Sequence, residues 1–220
     1  MSVVGVVPMK GHSERVPGKN LRSIAGRPLF HWILESLLEA RMVDEVLVDT
    51  DSDEIESAVV DAFPDVSIHR RPEHLHGDMV SMHDIVAEMA RSVDHDLLLQ
   101  THSTNPLLTP ETIDRAITAI LDDQDHDSLM SVTPWRSRFF FEDGTPVNHD
   151  PSELIRTQDL PPLLEENSNL YIAPTPLIAE TRLRVGKNPL LFEINASEAV
   201  DIDEELDFEI AEFLLLRRSD

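Results

Sequence analysis

The chain has 220 residues, enough for one domain with a substantial hydrophobic core and no need of disulfides. Hydrophobic residues make up 41% and charged residues 27%, which is typical of a folded globular protein and excludes a disordered one. Cysteine is absent, which excludes thiolate metal sites and cysteine nucleophiles and fits a cytoplasmic protein. We expect no membrane-spanning segment and no signal peptide, because no apolar run approaches about 20 residues and the first residues lack a basic region.

The charge balance is strongly acidic. Aspartate and glutamate total 42 against 18 lysines and arginines, a formal net charge of -24. A chain without a basic face is not expected to bind nucleic acid. Lysine occurs only at positions 10, 19 and 187. The acidic excess and the scarcity of lysine predict adaptation to a salty cytoplasm, where ions screen the charges, although an ordinary acidic protein is the alternative.

Short apolar runs alternate with segments of helical periodicity over the first 134 residues. The predicted strands are residues 3–7, 45–48, 66–69, 96–99 and 128–133. The predicted helices are residues 28–37, 53–63, 81–91 and 110–121, the last with Thr109 as its N-cap. This alternation predicts an α/β, Rossmann-like fold, a mostly parallel sheet with helices on both faces.

The pattern changes after Pro134. Residues 135–168 contain aromatics and prolines without a clean period, and predict an arm or lid outside the main sheet, with a hairpin turning at Asp143 and Gly144. A further strand is predicted at 169–173. A last helix is predicted at 204–217, with Leu206, Ile210, Phe213 and Leu214 facing inward. We expect residues 1–220 to form a single domain that carries this arm.

The loop after the first strand carries the strongest chemical signal. It runs from Pro8 to Asn20, at the sheet edge where open α/β folds bind ligands. Gly11 and Gly18 allow the backbone to approach a ligand closely, and three cations lie within ten residues: Lys10, Arg15 and Lys19. The loop is not a P-loop, because Asn20 follows Gly18-Lys19. It predicts a triphosphate site; a solvated loop with incidental cations is the alternative.

Two carboxylates near the end of the chain form a second candidate site. Asp201 and Asp203 are two residues apart on a predicted strand end, so both side chains point to one side. Hard oxygen ligands in this arrangement suit Mg²⁺, which binds few carboxylates together with waters and phosphates. The alternative is that Asp203 only caps the last helix.

Six ordered fragments resemble the acylneuraminate cytidylyltransferases, the CMP-N-acetylneuraminic acid synthetase family. They are the loop above, Val48-Asp49-Thr50-Asp51-Ser52, Arg70-Arg71-Pro72, Leu98-Leu99-Gln100, Arg156-Thr157-Gln158-Asp159-Leu160-Pro161-Pro162 followed by Glu166-Asn167 and Tyr171-Ile172, and Val200-Asp201-Ile202-Asp203 followed by Asp207-Phe208. The resemblance covers nearly the whole chain. It implies a nucleotidyltransferase fold and transfer of CMP from CTP to the anomeric hydroxyl of a sialic-type sugar acid, with Mg²⁺ and release of pyrophosphate.

The resemblance also implies roles for individual residues. The implied catalytic set is Lys10, Arg15 and Lys19 on the phosphates, with Gln100 and Arg156 facing the sugar acid. The implied nucleotide-binding set is Met9, Gly11, Ser13, Asn20, Arg71 and Ser81. Asp201 and Asp203 would hold the metal. The segment 135–168 corresponds to the family's dimerisation arm, which implies a homodimer with shared sites.

The stretch after Gln100 departs from the family pattern. Residues 100–108 are longer than the family's corresponding loop and end in leucine instead of arginine. The sugar could therefore be a pseudaminic, legionaminic or other nonulosonic acid. His102 in this loop could accept a proton or donate a hydrogen bond to the sugar. Two alternatives stay open: a nucleotidyltransferase for an octulosonate-like acid or another nucleotide, and a non-catalytic nucleotide-binding protein.

Overall fold

The computed structural model describes residues 1–13 and 15–218. Its strands are β1 Val3–Met9, β2 Ser23–Ile24, β3 Arg27–Pro28, β4 Glu45–Thr50, β5 Ser67–Arg70, β6 Leu97–Gln100, β7 Ser128–Trp135, β8 Leu163–Pro174 and β9 Pro189–Glu193. Its α-helices are α1 Leu29–Glu39, α2 Asp53–Ala62, α3 Met82–Ser92, α4 Pro110–Asp122, α5 Thr175–Thr181 and α6 Glu205–Arg218. The predicted alternation of strands and helices is confirmed, with boundaries that differ by one or two residues over the first 134 positions.

The main sheet of the described residues has seven strands in the order β5-β4-β1-β6-β8-β7-β9, and β2 and β3 form a separate ribbon. Only β8 runs antiparallel to its neighbours in the main sheet. The mostly parallel sheet is therefore confirmed. Strand β1 lies near the centre and is buried at every position, as its unbroken apolar sequence predicts. Its carboxyl end meets those of β4 and β6 at one edge of the sheet.

Helices cover both faces of the sheet, as predicted. Val3 and Val7 of β1 join the core under α1, α2 and α4, whereas Val4 and Val6 join the core under α3 and α5. Successive side chains on a strand point to opposite faces, so this one apolar strand supplies both cores. The predicted cap is also present, since the Thr109 hydroxyl accepts a hydrogen bond from the backbone N–H of Thr112 at 3.1 Å.

The predicted arm begins later and ends earlier than residues 135–168. Strand β7 extends to Trp135 and β8 begins at Leu163, so the segment outside the main sheet covers residues 136–162. The polar start of β8 enters the sheet because Asn167 is buried and hydrogen-bonded to Ser131 and Thr133, at 2.6 and 2.9 Å. The predicted hairpin within the arm is present: Phe140 bridges Pro146, and Gly144 adopts a left-handed φ of 84°.

The predicted inward face of the last helix is wrong in register. The buried residues of α6 are Phe208, Ala211 and Leu215, and Leu214 packs partly against the same cluster. The other three predicted core residues are exposed: Leu206 at 64%, Ile210 at 42% and Phe213 at 55%. Apolar residues occur on all sides of this helix, so its periodicity does not select one face. Among the described residues, no helix is long and apolar enough to cross a membrane.

Candidate active site

A cleft of about 510 Å³ opens where the loop after β1 faces the segment before α6. It brings together most of the predicted site. The predicted residues that line it are Met9, Lys10, Ser13, Arg15, Lys19, Asn20, Arg71, Asp201 and Asp203. Gly11, Ser81, Gln100 and Arg156 do not line the cleft directly.

The cationic loop and the acidic pair meet in this cleft although they are more than 180 residues apart in sequence. The Arg15 guanidinium donates to Oδ1 of Asp203 at 2.6 Å, and the Lys19 ammonium donates to the carbonyl oxygen of Ile202 at 2.6 Å. Burial lowers the pKa of Lys19. Lys10 pairs with Asp78 at 2.8 Å. The three cations predicted to hold phosphates are thus gathered at one site.

Two polar side chains fix the path of this loop. The Asn20 amide donates to the Lys10 carbonyl at 3.0 Å and accepts from the Ser103 hydroxyl at 2.6 Å. The Gly11 N–H donates to Oδ1 of Asp51 at 2.7 Å. A Cβ at Gly11 would lie 2.8 Å from the Cβ of Ser52, so only glycine fits there without displacement. Gly11 therefore sets the loop position.

Arg71 lines the cleft, but its guanidinium is bound mainly by neighbouring residues of the protein. Its guanidinium contacts Asp49 at 2.6 Å and Asp51 at 3.4 Å, and reaches the Met9 carbonyl at 3.5 Å. Its side chain is only 4% exposed. Ser81 has a structural contact as well, because its hydroxyl caps α3 by accepting from the His83 N–H at 3.2 Å. The structure thus shows Arg71 bracing the loop and Ser81 beginning a helix.

The acidic pair has the properties of a partial metal site. Oδ1 of Asp201 is buried and has no hydrogen-bond partner among the described residues. Burial raises the pKa of Asp201, and the neighbouring Asp203 charge adds to that effect. Asp207, not Asp203, satisfies the start of α6: its carboxylate accepts from the N–H groups of Asp203 and Glu204 at 3.0 and 2.8 Å. The carboxylate of Asp203 bonds to the Arg15 guanidinium, and no N–H group of α6 donates to it among the described residues.

The unpaired oxygen of Asp201 and the carboxylate of Asp203, whose partner is the exposed Arg15 side chain, fit a hard cation that completes its shell with phosphate and water. Within residues 1–13 and 15–218, no group of three or more His, Asp or Glu side chains is arranged to hold a metal ion. Mg²⁺ at a phosphate site commonly uses one or two carboxylates, which the pair of Asp201 and Asp203 could supply.

Gln100 and His102 lie at the end of β6. Gln100 is fully buried, and its amide nitrogen is 2.9 Å from Nε2 of His102. His102 lines the cleft. Burial, together with the charges of Arg184 and Lys19, lowers the pKa of His102 to about 4. The imidazole is therefore neutral at physiological pH and can donate or accept a hydrogen bond.

The cleft also contains a residue that sequence reasoning missed. Arg184 lines the cleft, its guanidinium carbon lies 3.8 Å from the centre of the Tyr171 ring, and it donates to Glu166 at 3.0 Å. Arg184 follows α5 in a segment with no recognisable motif. The available signal was indirect, since Glu166 and Tyr171 lie close to the fragments that suggested the family.

Ser168, also missed, lines the cleft beside Arg184. Its φ of 58° is left-handed, and it lies where the pairing of β7 with β8 changes register between Met130 and Val132. A bulge with a strained residue re-aims a side chain and is common beside functional sites. The buried Asn167, bonded to the Ser131 hydroxyl at 2.6 Å, holds this bulge in place.

Arg156 is not part of the cleft of this chain. It lies on the arm, exposed, and pairs with Asp159 at 2.7 Å. The carboxylate fork expected from Arg156 is therefore not assembled within one copy of the chain.

The architecture is an α/β fold with a mostly parallel sheet between two layers of helices. Among solved structures, the fold is similar to CMP:2-keto-3-deoxy-manno-octonic acid synthetase complexed with CTP, with a TM-score of 0.75, 18% identity, and 99% and 100% of the two chains covered. It is also similar to 4-diphosphocytidyl-2C-methyl-D-erythritol synthase, with a TM-score of 0.70, 16% identity, and 97% and 99% covered.

Sequence comparison then gives the family. The sequence model of the cytidylyltransferase family matches residues 4–215, and the chain belongs to this family. N-acylneuraminate cytidylyltransferase of Oncorhynchus mykiss is 31% identical over 98% of this chain and 50% of its own length. CMP-N,N'-diacetyllegionaminic acid synthase of Legionella pneumophila is 27% identical over 98% and 97%. The chain spans about half the length of the fish relatives it matches.

Proposed function

We propose that this chain transfers CMP from CTP to the anomeric hydroxyl of a nonulosonic sugar acid and releases pyrophosphate. The observation that carries the proposal is the meeting of the cationic loop with the acidic pair, through the contact of Arg15 with Asp203 at 2.6 Å. Relatives named as acylneuraminate and legionaminic acid enzymes match 98% of the chain, which supports a sugar acid of this class as the acceptor.

The nucleotide end of the reaction follows from the charges of the loop. In-line attack on the α-phosphorus leaves pyrophosphate, and the developing negative charge requires cations already in place. Lys10, Arg15 and Lys19 all line the cleft and supply these charges. Ser13 adds a hydroxyl in the same lining. The contacts of Asp51 and Asn20 hold the loop backbone at Gly11 and Lys10 before substrate arrives. The side chains of Lys10 and Arg15 would exchange their carboxylate partners for phosphate oxygens.

We propose Asp201 and Asp203 as the residues that hold Mg²⁺. A bound Mg²⁺ would screen the phosphate charge and orient the triphosphate. Arg15 contacts Asp203 in the absence of nucleotide. Exchange of this contact for a phosphate would transfer the guanidinium to the substrate, where a bidentate fork suits phosphate oxygens.

The sugar acid is proposed to bind beside Gln100 and His102. Gln100 is the last residue of β6, the strand between β1 and β8, and His102 follows two residues later. Arg156 would reach this end only from a second copy of the chain. The arm that carries Arg156 exposes large apolar side chains, including Phe141 at 60% and Leu154 at 91%. Exposed apolar side chains of this size support a homodimer joined through the arm, where a second copy would cover them. We also propose a cytoplasmic location, where CTP is available.

The reaction is tested by pyrophosphate release from CTP and Mg²⁺ in high KCl. The acceptor panel comprises N-acetylneuraminic, legionaminic and pseudaminic acids, with 3-deoxy-manno-octulosonate and a reaction without sugar as comparisons. Release with one nonulosonic acid is the expected result. Release with octulosonate alone would favour the alternative acceptor, which relatives named 3-deoxy-manno-octulosonate cytidylyltransferase support at 35% identity over 56% of this chain. If folded protein released no pyrophosphate with any acceptor of the panel, the proposal would be refuted.

A further inference from the structure

We propose that Arg184 binds the carboxylate of the sugar acid and so selects acids over neutral sugars. This inference rests on the proposed function, and deepens it by assigning the acceptor end of the cleft to a residue outside the motifs that suggested the family.

Most of the cations that line the cleft either face the proposed triphosphate site or are paired with buried carboxylates. Five lysine and arginine side chains of the described residues line it: Lys10, Arg15, Lys19, Arg71 and Arg184. The first three belong to the loop that faces the triphosphate. Arg71 is bound by Asp49 and Asp51 and is 4% exposed, so its charge is compensated inside the scaffold. A second anion in the same cleft therefore has Arg184 as its available arginine.

The sheet places Arg184 at a distance that suits the second substrate. The cationic loop follows β1, whereas the partners of Arg184, Glu166 and Tyr171, lie on β8. Only β6 separates β1 from β8, so the two cationic groups are anchored about 10 Å apart, two strand spacings. Tyr171 pairs with Gln100 across the sheet, which brings the arginine to the same edge as His102. A sugar between the two groups would present its anomeric carbon to the phosphates and its carboxylate to Arg184.

The surroundings of Arg184 preorganise it as a carboxylate fork. Its guanidinium lies against the Tyr171 ring and donates to Glu166 at 3.0 Å, which is the only hydrogen bond of this guanidinium among the described residues. The backbone N–H of Arg184 donates to Nδ1 of His83 at 3.3 Å. Glu166 is fixed in turn by the Tyr171 hydroxyl at 2.5 Å. The remaining guanidinium N–H groups are free to donate to a ligand in the cleft, and Arg184 itself is only 20% exposed. Little side-chain entropy is lost when such a group binds a planar carboxylate.

The test compares Arg184→Gln with the wild type in the pyrophosphate assay. The probes are N-acetylneuraminic acid, or the acid of the panel that turns over fastest, and the methyl ester of the same acid. Arg184→Gln should raise KM for the acid about 10- to 100-fold and change KM for CTP less than about twofold. The wild type should prefer the acid to the ester, and the variant should lose this preference.

Two further variants keep the result interpretable. Arg182→Gln is the matched control, since Arg182 lies two residues away, pairs with Asp84 and does not line the cleft. It should retain wild-type KM values for both substrates. Arg184→Lys retains the charge without the fork and should recover part of the affinity for the acid. It also tests whether a defect in Arg184→Gln comes from misfolding.

Several results would overturn the inference. They are an unchanged KM for the acid in Arg184→Gln, an equal rise in KM for CTP, or equal weakening of acid and ester. A wild type that is active on an acid, followed by any of these, removes the role of Arg184 and leaves the proposed function standing. A wild type that is silent on every acid removes the proposed function, and the assignment of Arg184 with it.

Discussion

Asp203→Asn removes one carboxylate from the cleft and leaves the backbone contacts at the start of α6 intact. The only side-chain partner of Asp203 among the described residues is Arg15, and both groups are solvent-accessible, at 48% and 61%. An exposed pair of this kind contributes about 0–1 kcal/mol to stability. The negative charge of Asp203 helps to raise the pKa of Asp201. The substitution removes this repulsion between like charges. We therefore expect the free energy of unfolding to change by less than about 1 kcal/mol.

The expected effect on turnover is much larger. A metal held by two carboxylates loses half of its protein charge, and metal stabilisation of a phosphoryl transition state is worth several kcal/mol. A loss of about 3–4 kcal/mol corresponds to a rate about 10²- to 10³-fold lower. Pyrophosphate release is to be measured over a Mg²⁺ titration, with thermal melting in parallel. The expected Tm change is within about 4 °C for a chain of this size.

Glu205→Gln provides a matched control for Asp203→Asn. It makes the same type of change two residues later, at a side chain that pairs with Arg22 at 2.7 Å and does not line the cleft. It should retain near wild-type turnover. Turnover of Asp203→Asn within about threefold of the wild type at every Mg²⁺ concentration would refute the metal assignment. A large fall in Tm would show instead that Asp203 is structural.

Three further changes test the loop, the histidine and the charge balance. Lys19→Ala should weaken CTP binding about 10- to 100-fold by calorimetry, because a partly buried ammonium is lost, whereas Lys187→Ala, at an exposed site outside the cleft, should not. For His102, the folded-state pKa of about 4 lies below the ordinary 6.5, so the unfolded state binds the proton first and stability is lost as pH falls from 6.5 towards 4. Replacing His102 with Gln should recover up to about 3 kcal/mol of that loss in urea unfolding; equal pH profiles would contradict it. The Tm should rise from dilute buffer to molar KCl as the net charge of -24 is screened, and a flat Tm would count against salt adaptation.

The sequence predicted the parts of the fold and site that depend on local pattern. The unbroken apolar run of β1 is enough to predict a fully buried strand. The loop that follows such a strand lies at the carboxyl edge of the sheet, where ligands bind in this class of fold. The predicted strand end at Asp201 and Asp203 is wrong, because the structure has these residues in an irregular segment between β9 and α6, but both carboxylates still line the cleft. The strand and the loop need no knowledge of distant neighbours, and the structure places the loop in the same cleft.

The features that the sequence missed depend on packing between distant segments. Arg184 enters the cleft only because Tyr171 and Glu166 of β8 hold its side chain, and nothing in its own neighbourhood indicates this. The start of β8 looks too polar for a sheet interior until Asn167 is seen to bond with Ser131 and Thr133. The face of α6 was misassigned for a related reason, since tertiary contacts and not the helix pattern decide which apolar residues are buried.

The charge distribution sets two opposite effects of salt on substrate binding. CTP is a polyanion and approaches a protein of net charge -24, so long-range repulsion slows its association in dilute buffer. Screening beyond about 10 Å at 0.1 M ionic strength removes this repulsion while leaving the short contacts in the cleft largely intact. Higher salt then weakens the contacts of the exposed cations themselves, such as Arg15 at 61% exposure. We therefore expect KM for CTP to fall and then rise as KCl increases at fixed Mg²⁺. A KM that rises from the lowest salt upward would mean that the cations of the cleft outweigh the net charge at every distance.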